Sequence, residues 1–452
     1  MRIIVVGCGK IGTELVKSLC AEEHDITVID IDRKVLEEIN NIYDVMCVCG
    51  NGADSDVLDE AGAWQADLFI AVTNSDELNM LSCFFAKQMG AESTVARIRK
   101  TDYNDSSLDF IKKTLSLTIP INPEFSAARE LYNILKMPSA VKIENFSSGH
   151  FEMIELKLKT DSRLHGLTLS EVRNKFKADF LVCAVQRDGN VFIPSGNFKL
   201  LGGDRIGITA DQTEILKFMK ELDLYGRHTK NVIILGGSRI AFYLAKKLVN
   251  AGNRVKIIEQ NLERCEEISE LLPAVSVIHA DGTQQEVLLE EGIEHTDAFV
   301  ALTGIDEENI LISYFAQKKG VPKVITKVNR EELAIIADNM GIDCVISPKK
   351  IIADALTSYA RALENSMGSK IETLYRLMDS NVEALEFTVS PDFVGVQTPL
   401  KNLSLKEQIL IAGIIRGRTA IIPSGDDAIL PGDKVIVITG QSKLHDLSDI
   451  MK

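Results

Sequence analysis

The sequence predicts an α/β protein with two doubly wound parallel-sheet, Rossmann-like domains, each followed by a small α+β module. Three observations predict it. Over residues 1–120, short apolar runs alternate with amphipathic stretches, the pattern of successive βαβ units. A glycine-rich turn, Gly7-Cys8-Gly9-Lys10-Ile11-Gly12, leaves the first run and opens the first amphipathic stretch. The arrangement then recurs, with Gly236-Gly237-Ser238-Arg239-Ile240-Ala241 in the same context 229 residues later. The correspondence continues through Asp30 and Glu259, 71–77 and 301–307, Pro194-Ser195-Gly196 and Pro423-Ser424-Gly425, and Gly203-Asp204 and Gly432-Asp433. Spacing this regular marks a tandem duplication of a unit half the chain long.

In the first copy, strand-like runs fall at 3–6, 26–29, 45–49, 68–72, 95–98 and 117–119. Helix-period apolar residues such as Leu15, Val16 and Leu19 lie between them. Residues 1–122 thus form the first nucleotide-type fold. Asn122-Pro123-Glu124 opens a helix reaching Lys136, so 123–139 reads as a crossover helix and linker. Over 140–225 the texture changes to a small module. Phe151 to Lys159 alternates apolar and polar side chains, as a strand with one buried face does, and 180–193 reads as a hairpin turning at Asp188-Gly189. A linker is expected near Tyr225 to Lys230. The second copy follows suit: a nucleotide-type fold over 230–348, a crossover helix and linker over 349–371 opened by Ser347-Pro348, and a small module over 372–452. There Arg416-Gly417-Arg418 turns between 409–415 and 419–422.

A chain of 452 residues has room for several domains with sizeable cores, and 45% apolar with 25% charged residues is the balance of a soluble globular protein. No apolar run approaches the roughly 18 residues that span a bilayer. Met1-Arg2-Ile3-Ile4 leads straight into a strand without a signal-peptide cleavage pattern, so a cytoplasmic location is expected. Of eight scattered cysteines only Cys47 and Cys49 are close; period 2 puts them on one face of a strand, where they read as buried reduced thiols rather than metal ligands. No metal site is expected. The net charge of −15 comes without a basic cluster, which disfavours nucleic acid and direct docking on anionic lipid and leaves a basic protein partner open.

The glycine turn carries the chemistry. Its glycines permit a tight turn and close approach to a pyrophosphate, which then faces the N-terminus of the first helix. Asp30, closing the second strand, would accept hydrogen bonds from ribose hydroxyls and repel a 2′-phosphate, favouring NAD over NADP. A fold that kept the turn and lost the ligand is the less favoured reading for this copy. In the second copy Ser238 replaces the middle glycine and crowds the phosphate approach, although Glu259 still offers a ribose acceptor. A weaker site, a different adenine nucleotide and an empty pocket all remain open there. Thr73-Asn74-Ser75-Asp76-Glu77 follows the fourth strand and should face the same crevice, while helix capping by Asn74 or Ser75 explains the same residues without a ligand. Arg97 ends the fifth strand, with Lys327 at its place in the second copy, and suits either a phosphate or a surface ion pair. None of the seven histidines recurs in the other copy; His165 and His279 read as ordinary surface or satisfied residues, and no acid–base constellation is evident.

Taken together, 5–12, Val28-Ile29-Asp30, Gly50-Asn51-Gly52-Ala53-Asp54, Ala71-Val72-Thr73-Asn74, Ala96-Arg97-Ile98-Arg99, Ile121-Asn122-Pro123-Glu124, Asp281-Gly282-Thr283 and Ala301-Leu302-Thr303-Gly304 resemble the RCK (KTN) regulatory proteins of potassium channels and transporters. The two-copy order is similar to that of the regulatory subunits of Trk potassium uptake, and the likeness covers essentially the whole chain. The resemblance implies a non-catalytic cytoplasmic subunit, peripheral on the membrane, that binds NAD(H), with ATP or ADP as further candidates. It implies assembly as a homo-oligomer, a tetrameric ring, beneath a membrane potassium translocator (TrkH-, TrkG- or KtrB-like) that the ring gates. The implied first-site residues are Gly7, Cys8, Gly9, Lys10, Ile11, Gly12, Asp30, Thr73, Asn74 and Arg97, with Gly52 and Ala53 at the adenine end. In the second copy they are Gly236, Ser238, Arg239, Ile240, Glu259, Asp281, Thr303 and Lys327. The crossover helices carry apolar stripes, Phe125, Leu131, Ile134 and Leu135, and Ile351, Ile352, Leu356 and Tyr359, that pack on their own domains or dock between domains. The small modules read as regulatory or assembly surfaces. An acidic ring would be steered onto the basic cytoplasmic loops of a transporter, although charge also serves simple solubility. The competing reading is an NAD-dependent oxidoreductase; a scaffold with vestigial pockets is a third.

Overall fold

The structure, a computed structural model, describes residues 1–99, 105–137, 140–146, 151–176, 179–222, 229–342, 344–366, 371–378, 382–440, 444 and 446–452. The expected linker therefore lies, over 225–228, outside the described residues.

The first copy opens with β1 (Arg2–Val6), α1 (Lys10–Cys20), β2 (Asp25–Asp30), α2 (Arg33–Ile42), β3 (Met46–Cys49), α3 (Ser55–Glu60), β4 (Leu68–Ala71), α4 (Asp76–Met89), β5 (Ser93–Arg97), α5 (Asp105–Thr114), β6 (Ile119–Ile121) and α6 (Pro123–Lys136). The six strands form one parallel sheet in the order β3-β2-β1-β4-β5-β6. β1 is central, pairing Val6 with Ile29 on one side and Ala71 on the other, and Ile3 to Val6 are at most 2% exposed. Both faces of such a strand are covered by helices, which is why its sequence is continuously apolar. Leu15, Val16 and Leu19 of α1 are fully buried. The sixth strand begins at Ile119 rather than 117, because Ser116 turns with φ of +52° and buried Leu117 fills the core before pairing starts.

The first small module comprises β7 (Ala140–Phe146), β8 (Phe151–Lys157), α7 (Leu169–Lys175), β9 (Leu181–Arg187), β10 (Asn190–Phe192), β11 (Arg205–Ala210) and α8 (Gln212–Glu221), its antiparallel sheet ordered β10-β9-β11-β8-β7. The β9–β10 hairpin turns at Asp188-Gly189, both with positive φ, as a type I′ turn requires. The second copy repeats the large fold: β12 (Asn231–Leu235), α9 (Arg239–Asn250), β13 (Arg254–Glu259), α10 (Leu262–Leu271), β14 (Ser276–His279), α11 (Gln285–Glu290), β15 (Ala298–Ala301), α12 (Asp306–Lys318), β16 (Lys323–Lys327), α13 (Glu331–Asn339), β17 (Cys344–Ile346) and α14 (Pro348–Ser366), with the sheet β14-β13-β12-β15-β16-β17. Its small module, β18 (Ile371–Leu377), β19 (Val382–Thr388), β20 (Ile409–Arg416), β21 (Thr419–Ile421) and β22 (Lys434–Thr439), orders its sheet β18-β19-β22-β20-β21. Where the first module has α7, this one has a single 3₁₀ turn at Leu400–Asn402.

Two compact units cut across this repeat. One is Met1–Arg129 with Ser347–Ala360; the other is Glu130–Ile346 with Arg361–Lys452. In the first unit, Lys349 of α14 lies 2.6 Å from Glu14 of α1, a carboxylate only 7% exposed. In the second, Thr229 Oγ1 donates to the Leu135 carbonyl of α6 at 2.9 Å, and Lys247 of α9 sits over the Tyr132 ring. Each crossover helix thus docks on the other copy's nucleotide fold. Leu131, Ile134, Leu135, Ile352 and Leu356 are buried, while Phe125 stays 41% exposed.

The second unit also brings the two small sheets face to face. Phe146, Phe151, Met153 and Cys183 of one pack against Val382, Ala384, Ala412 and Ile436 of the other. Gly413 allows the closest approach: a Cβ there would stand 2.6 Å from the Phe151 ring. Thr209 Oγ1 donates across this interface to the Ala412 carbonyl, and the Met378 amide to buried Glu155. This corrects the expectation of a one-sided strand at β8. Ile154 and Leu156 point into their own module's core, and Phe151 and Met153 into the shared one, so both faces are buried.

Candidate functional site

In an open α/β sheet the crevice lies beyond the carboxyl ends of the strands where the order reverses, here between β1 and β4. The turn after β1 is tight. Gly7 has φ of +91°, and a Cβ on Gly12 would stand 1.9 Å from the Gly7 carbonyl oxygen, so helix α1 begins against the strand only because that position is glycine. Gly9 is the N-cap of α1, in extended conformation and without a side-chain cap bond. Added atoms at Gly9 would meet nothing within 4 Å. The first-turn amides of α1 therefore point at open space, the setting for an anion.

Asp30 orders this turn from the neighbouring strand. Its Oδ2 accepts from the Cys8 amide at 2.6 Å and its Oδ1 from the Asp32 amide at 2.9 Å. Each oxygen keeps a lone pair for a diol. The Cys8 side chain is buried, and burial, then the Asp30 charge, pushes its thiol well up; its carbonyl accepts from Thr13 Oγ1. Lys10 is exposed and Ile11 half-buried at the start of α1. Gly52 is buried beside β1, and the Ala53 amide is held by Asn51.

The loop after β4 is pinned by Asn79, which is fully buried. Its Oδ1 accepts from the Thr73 amide and hydroxyl at 2.8 and 2.7 Å, and its Nδ2 donates to the carbonyls of Thr73 and Arg97. Ser75, not Asn74, caps α4 by accepting from the Leu78 amide. Asn74 is exposed, its carbonyl bonded by Arg99. Arg97 is not at the surface. It is 9% exposed and 3.4 Å from Glu124 of α6, and burial pulls its pKa down against the opposing effect of Glu124. Arg97 Nε and Glu124 Oε2 are buried without a hydrogen-bond partner.

The second cleft, about 520 Å³, is lined by Gly236, Ser238, Arg239, Glu259, Arg264, Asp281, Thr303 and Glu308 among others. Four substitutions in and around it are linked. Glu259 is one methylene longer than Asp30 and reaches the Gly237 and Asn261 amides. A Cβ on Gly237 would stand 3.0 Å from Glu259 Oε2, so the longer acid requires glycine where the first copy has Cys8. Phe242 replaces Thr13 and cannot bond the turn carbonyl; Arg264, where the first copy has Val35, donates to it at 2.6 Å instead. Ser238 caps α9 by accepting from the Ala241 amide, which takes up one of the donors left open at Gly9. Asp281 is held below the usual carboxylate range by the Thr283 hydroxyl and amide. The Thr303 loop repeats the first copy's pin through Asn309. Ile240, in the first turn of α9, is buried, and Ile240 and Lys327 do not line the cleft.

Cys47 and Cys49 are not a buried pair. They lie on edge strand β3, Cys47 half-buried and Cys49 exposed, because β3 has a neighbour on one side only. Among the described residues no group of three or more His, Cys, Asp or Glu could hold a metal ion. His165 accepts from the Gly202 amide and His279 contacts the Gln260 carbonyl. Asn79, Glu124, Arg264 and Glu308 went unassigned in the sequence. Setting the two copies side by side exposes Asn79, six residues after Thr73 as Asn309 is after Thr303.

Fold and clefts define the class: a tandem pair of Rossmann-type domains, each with a small antiparallel module. The TrkA-N domain matches residues 3–112 and 232–348, and the TrkA-C domain residues 153–223 and 384–452. The chain belongs to the TrkA family. It is 32% identical over 455 residues to the Trk system potassium uptake protein TrkA homolog of Archaeoglobus fulgidus, covering all of both chains. It is 31% identical over 458 residues to the Trk system potassium uptake protein TrkA of Halomonas elongata, covering 100% of this chain and 99% of that one. Among solved structures, the GsuK RCK domain superimposes with a TM-score of 0.64 at 17% identity, over 97% of this chain and 92% of that one. The GsuK channel bound to NAD does so with 0.63 at 16%, over 97% and 76%. These two likenesses concern the fold. Among the described residues, no helix is long and apolar enough to cross a membrane.

Proposed function

We propose that the chain is a nucleotide-sensing regulatory subunit of a Trk- or Ktr-type potassium uptake system, and that it binds NAD(H) as a ligand rather than a reactant. The observation that carries the reading is the uncapped glycine turn beside Asp30, in a chain that matches TrkA proteins end to end. Gly7, Gly9, Gly12 and the first-turn amides of α1 would hold the pyrophosphate, and Asp30 the adenosine ribose. Gly52 and Ala53 would flank the adenine; Thr73 and Asn74 would flank the other end. A phosphate at Arg97 would compete with Glu124, which links the cleft to the crossover helix. Such a link makes ligand affinity depend on the helix's position, as gating requires.

Assembly into a ring, expected to be a tetramer, is supported by apolar residues left exposed on the same helices of both copies: Leu81 and Leu311 on α4 and α12, Phe110 and Ile335 on α5 and α13. The partner is a membrane potassium translocator, toward whose basic cytoplasmic loops a net charge of −15 would be steered.

The test is calorimetry of the purified chain with NAD⁺, NADH, ADP and ATP, paired with potassium uptake in cells lacking their own regulatory subunit. Asp30→Ala is expected to weaken dinucleotide binding about tenfold or more, the loss of a charged hydrogen-bonding group, and to remove nucleotide dependence from uptake. Failure to co-purify with any potassium translocator, or uptake indifferent to the chain, overturns the proposal. NADH consumption abolished by Asp30→Ala would instead make the protein an oxidoreductase.

A further inference from the structure

The two clefts differ in charge at the end far from Asp30 and Glu259. The second-strand carboxylate and the glycine turn set where the adenosine and phosphates of a dinucleotide lie. Its other half then falls where β4 or β15 ends. In the second copy that end is lined by Thr303, Gly304, Ile305 and Glu308. Asp306, Glu307 and Asn309 repeat Asp76, Glu77 and Asn79 of the first copy, but Glu308 stands where that copy has Leu78. Asp306 and Glu307 are engaged by Asn329 and Arg330. Glu308 is half-buried, and its carboxylate makes no hydrogen bond or ion pair with any described residue. Beside it Ile305 is 50% exposed, in the place of Ser75, and offers an apolar wall. Arg239 and Arg264 also line the cleft, but at or against the glycine turn, on the phosphate side.

We infer that Glu308 makes the second cleft selective for the oxidised, positively charged nicotinamide ring, so that it takes NAD⁺ in preference to NADH. This rests on the nucleotide-binding reading above. A nicotinamide cation has apolar faces and a delocalised charge; Ile305 supplies the surface and Glu308 the counter-charge. The reduced ring is neutral and gains nothing from the carboxylate, and a triphosphate tail would be repelled by it. NAD⁺ and NADH are identical at the adenosine and phosphates, so discrimination has to arise at this end. The first cleft, with Leu78 there, lacks the device, and one chain then carries two clefts that respond differently to the redox state of one cofactor.

The experiment measures affinities for NAD⁺, NADH and ADP-ribose by calorimetry on the full chain carrying Asp30→Ala, which weakens the first cleft so that its binding separates from that of the second. NAD⁺ is expected to bind about fivefold more tightly than NADH, near 1 kcal/mol for one partly screened charge pair. Glu308→Gln and Glu308→Leu should each bring that ratio close to one while leaving ADP-ribose affinity unchanged. In a chain carrying Ser238→Asp to block the second cleft, Leu78→Glu should raise the preference of the first cleft for NAD⁺. Binding of all three ligands with a ratio indifferent to Glu308 overturns the inference and leaves the nucleotide reading intact. If none of the three binds, ADP-ribose included, the nucleotide reading of this cleft falls and the inference with it.

Discussion

At Gly237 an added Cβ would meet Glu259 Oε2 at 3.0 Å and Ile268 Cδ1 at 2.9 Å, whereas the first copy accommodates Cys8 beside the shorter Asp30. Gly237→Cys is therefore expected to lower stability by about 1–3 kcal/mol, the usual cost of overpacking. Adding Glu259→Asp should recover about 1 kcal/mol or more, because the double variant rebuilds the first copy's pair. Urea unfolding midpoints of the two single variants and the double variant decide it; strictly additive effects would mean the residues are not coupled. Asn79 presents a second case. It is fully buried, and its four bonds hold Thr73 and Arg97. Asn79→Ala leaves those groups unsatisfied and should cost about 2–4 kcal/mol. The same variant should weaken nucleotide binding to the first cleft, and unchanged affinity would place the Thr73 loop outside the site.

Helices α1 and α9 start with the same backbone and different caps. Gly9 has φ −68° and ψ −168°, Ser238 φ −63° and ψ 166°, so a serine at position 9 can adopt the same extended cap. Its hydroxyl would then accept from the first turn of α1, as Ser238 does from Ala241. Gly9→Ser is expected to stabilise the free protein by a few tenths of a kcal/mol, seen as a slightly higher thermal midpoint. The same change should weaken dinucleotide binding, because the hydroxyl competes with phosphate for an amide. Opposite signs on stability and affinity are the signature; a variant that binds as well as the parent would show that the first-turn amides do not hold the ligand.

For the whole molecule, the compact units do not coincide with the sequence repeat. A fragment of residues 1–225 would lack α14 and would expose Phe146, Phe151 and Met153, which pack on the second small module. It is expected to self-associate through that apolar face, as light scattering would report; a stable monomer would mean the face tolerates water. Thiol chemistry offers an independent check on the fold. Cys49 is exposed, whereas Cys183 is fully buried with its thiol pushed up to about 12 by burial. Because the thiolate is the reactive form, iodoacetamide at about pH 8 should modify Cys49 readily and leave Cys183 untouched until unfolding. Mass spectrometry showing early labelling of Cys183 would contradict the face-to-face packing of the small sheets.

The sequence by itself determined the order of elements, the two glycine turns with Asp30 and Glu259, the hairpins and the crossover helices. These follow from local periodicity, turn chemistry and comparison of one copy with the other, all of which survive in a linear chain. It also carried the fold class, since uninterrupted apolar strands alternating with amphipathic helices leave a parallel sheet as the way to bury both faces. What tertiary structure decided is which surfaces meet. Strand β8 reads as one-sided because Glu152 and Glu155 interrupt its apolar residues, yet both glutamates are buried, Glu155 where the small modules pack together and Glu152 against Gln212 of its own module. Cys47 and Cys49 read as buried because period 2 puts them on one face of a strand, yet β3 is an edge. Arg97 reads as the partner of either a phosphate or a surface acid, and the carboxylate it meets, Glu124, lies 27 residues on, at the start of a helix whose far end belongs to the other unit. Partners distant in sequence leave no periodicity, so only the folded chain could bring them together.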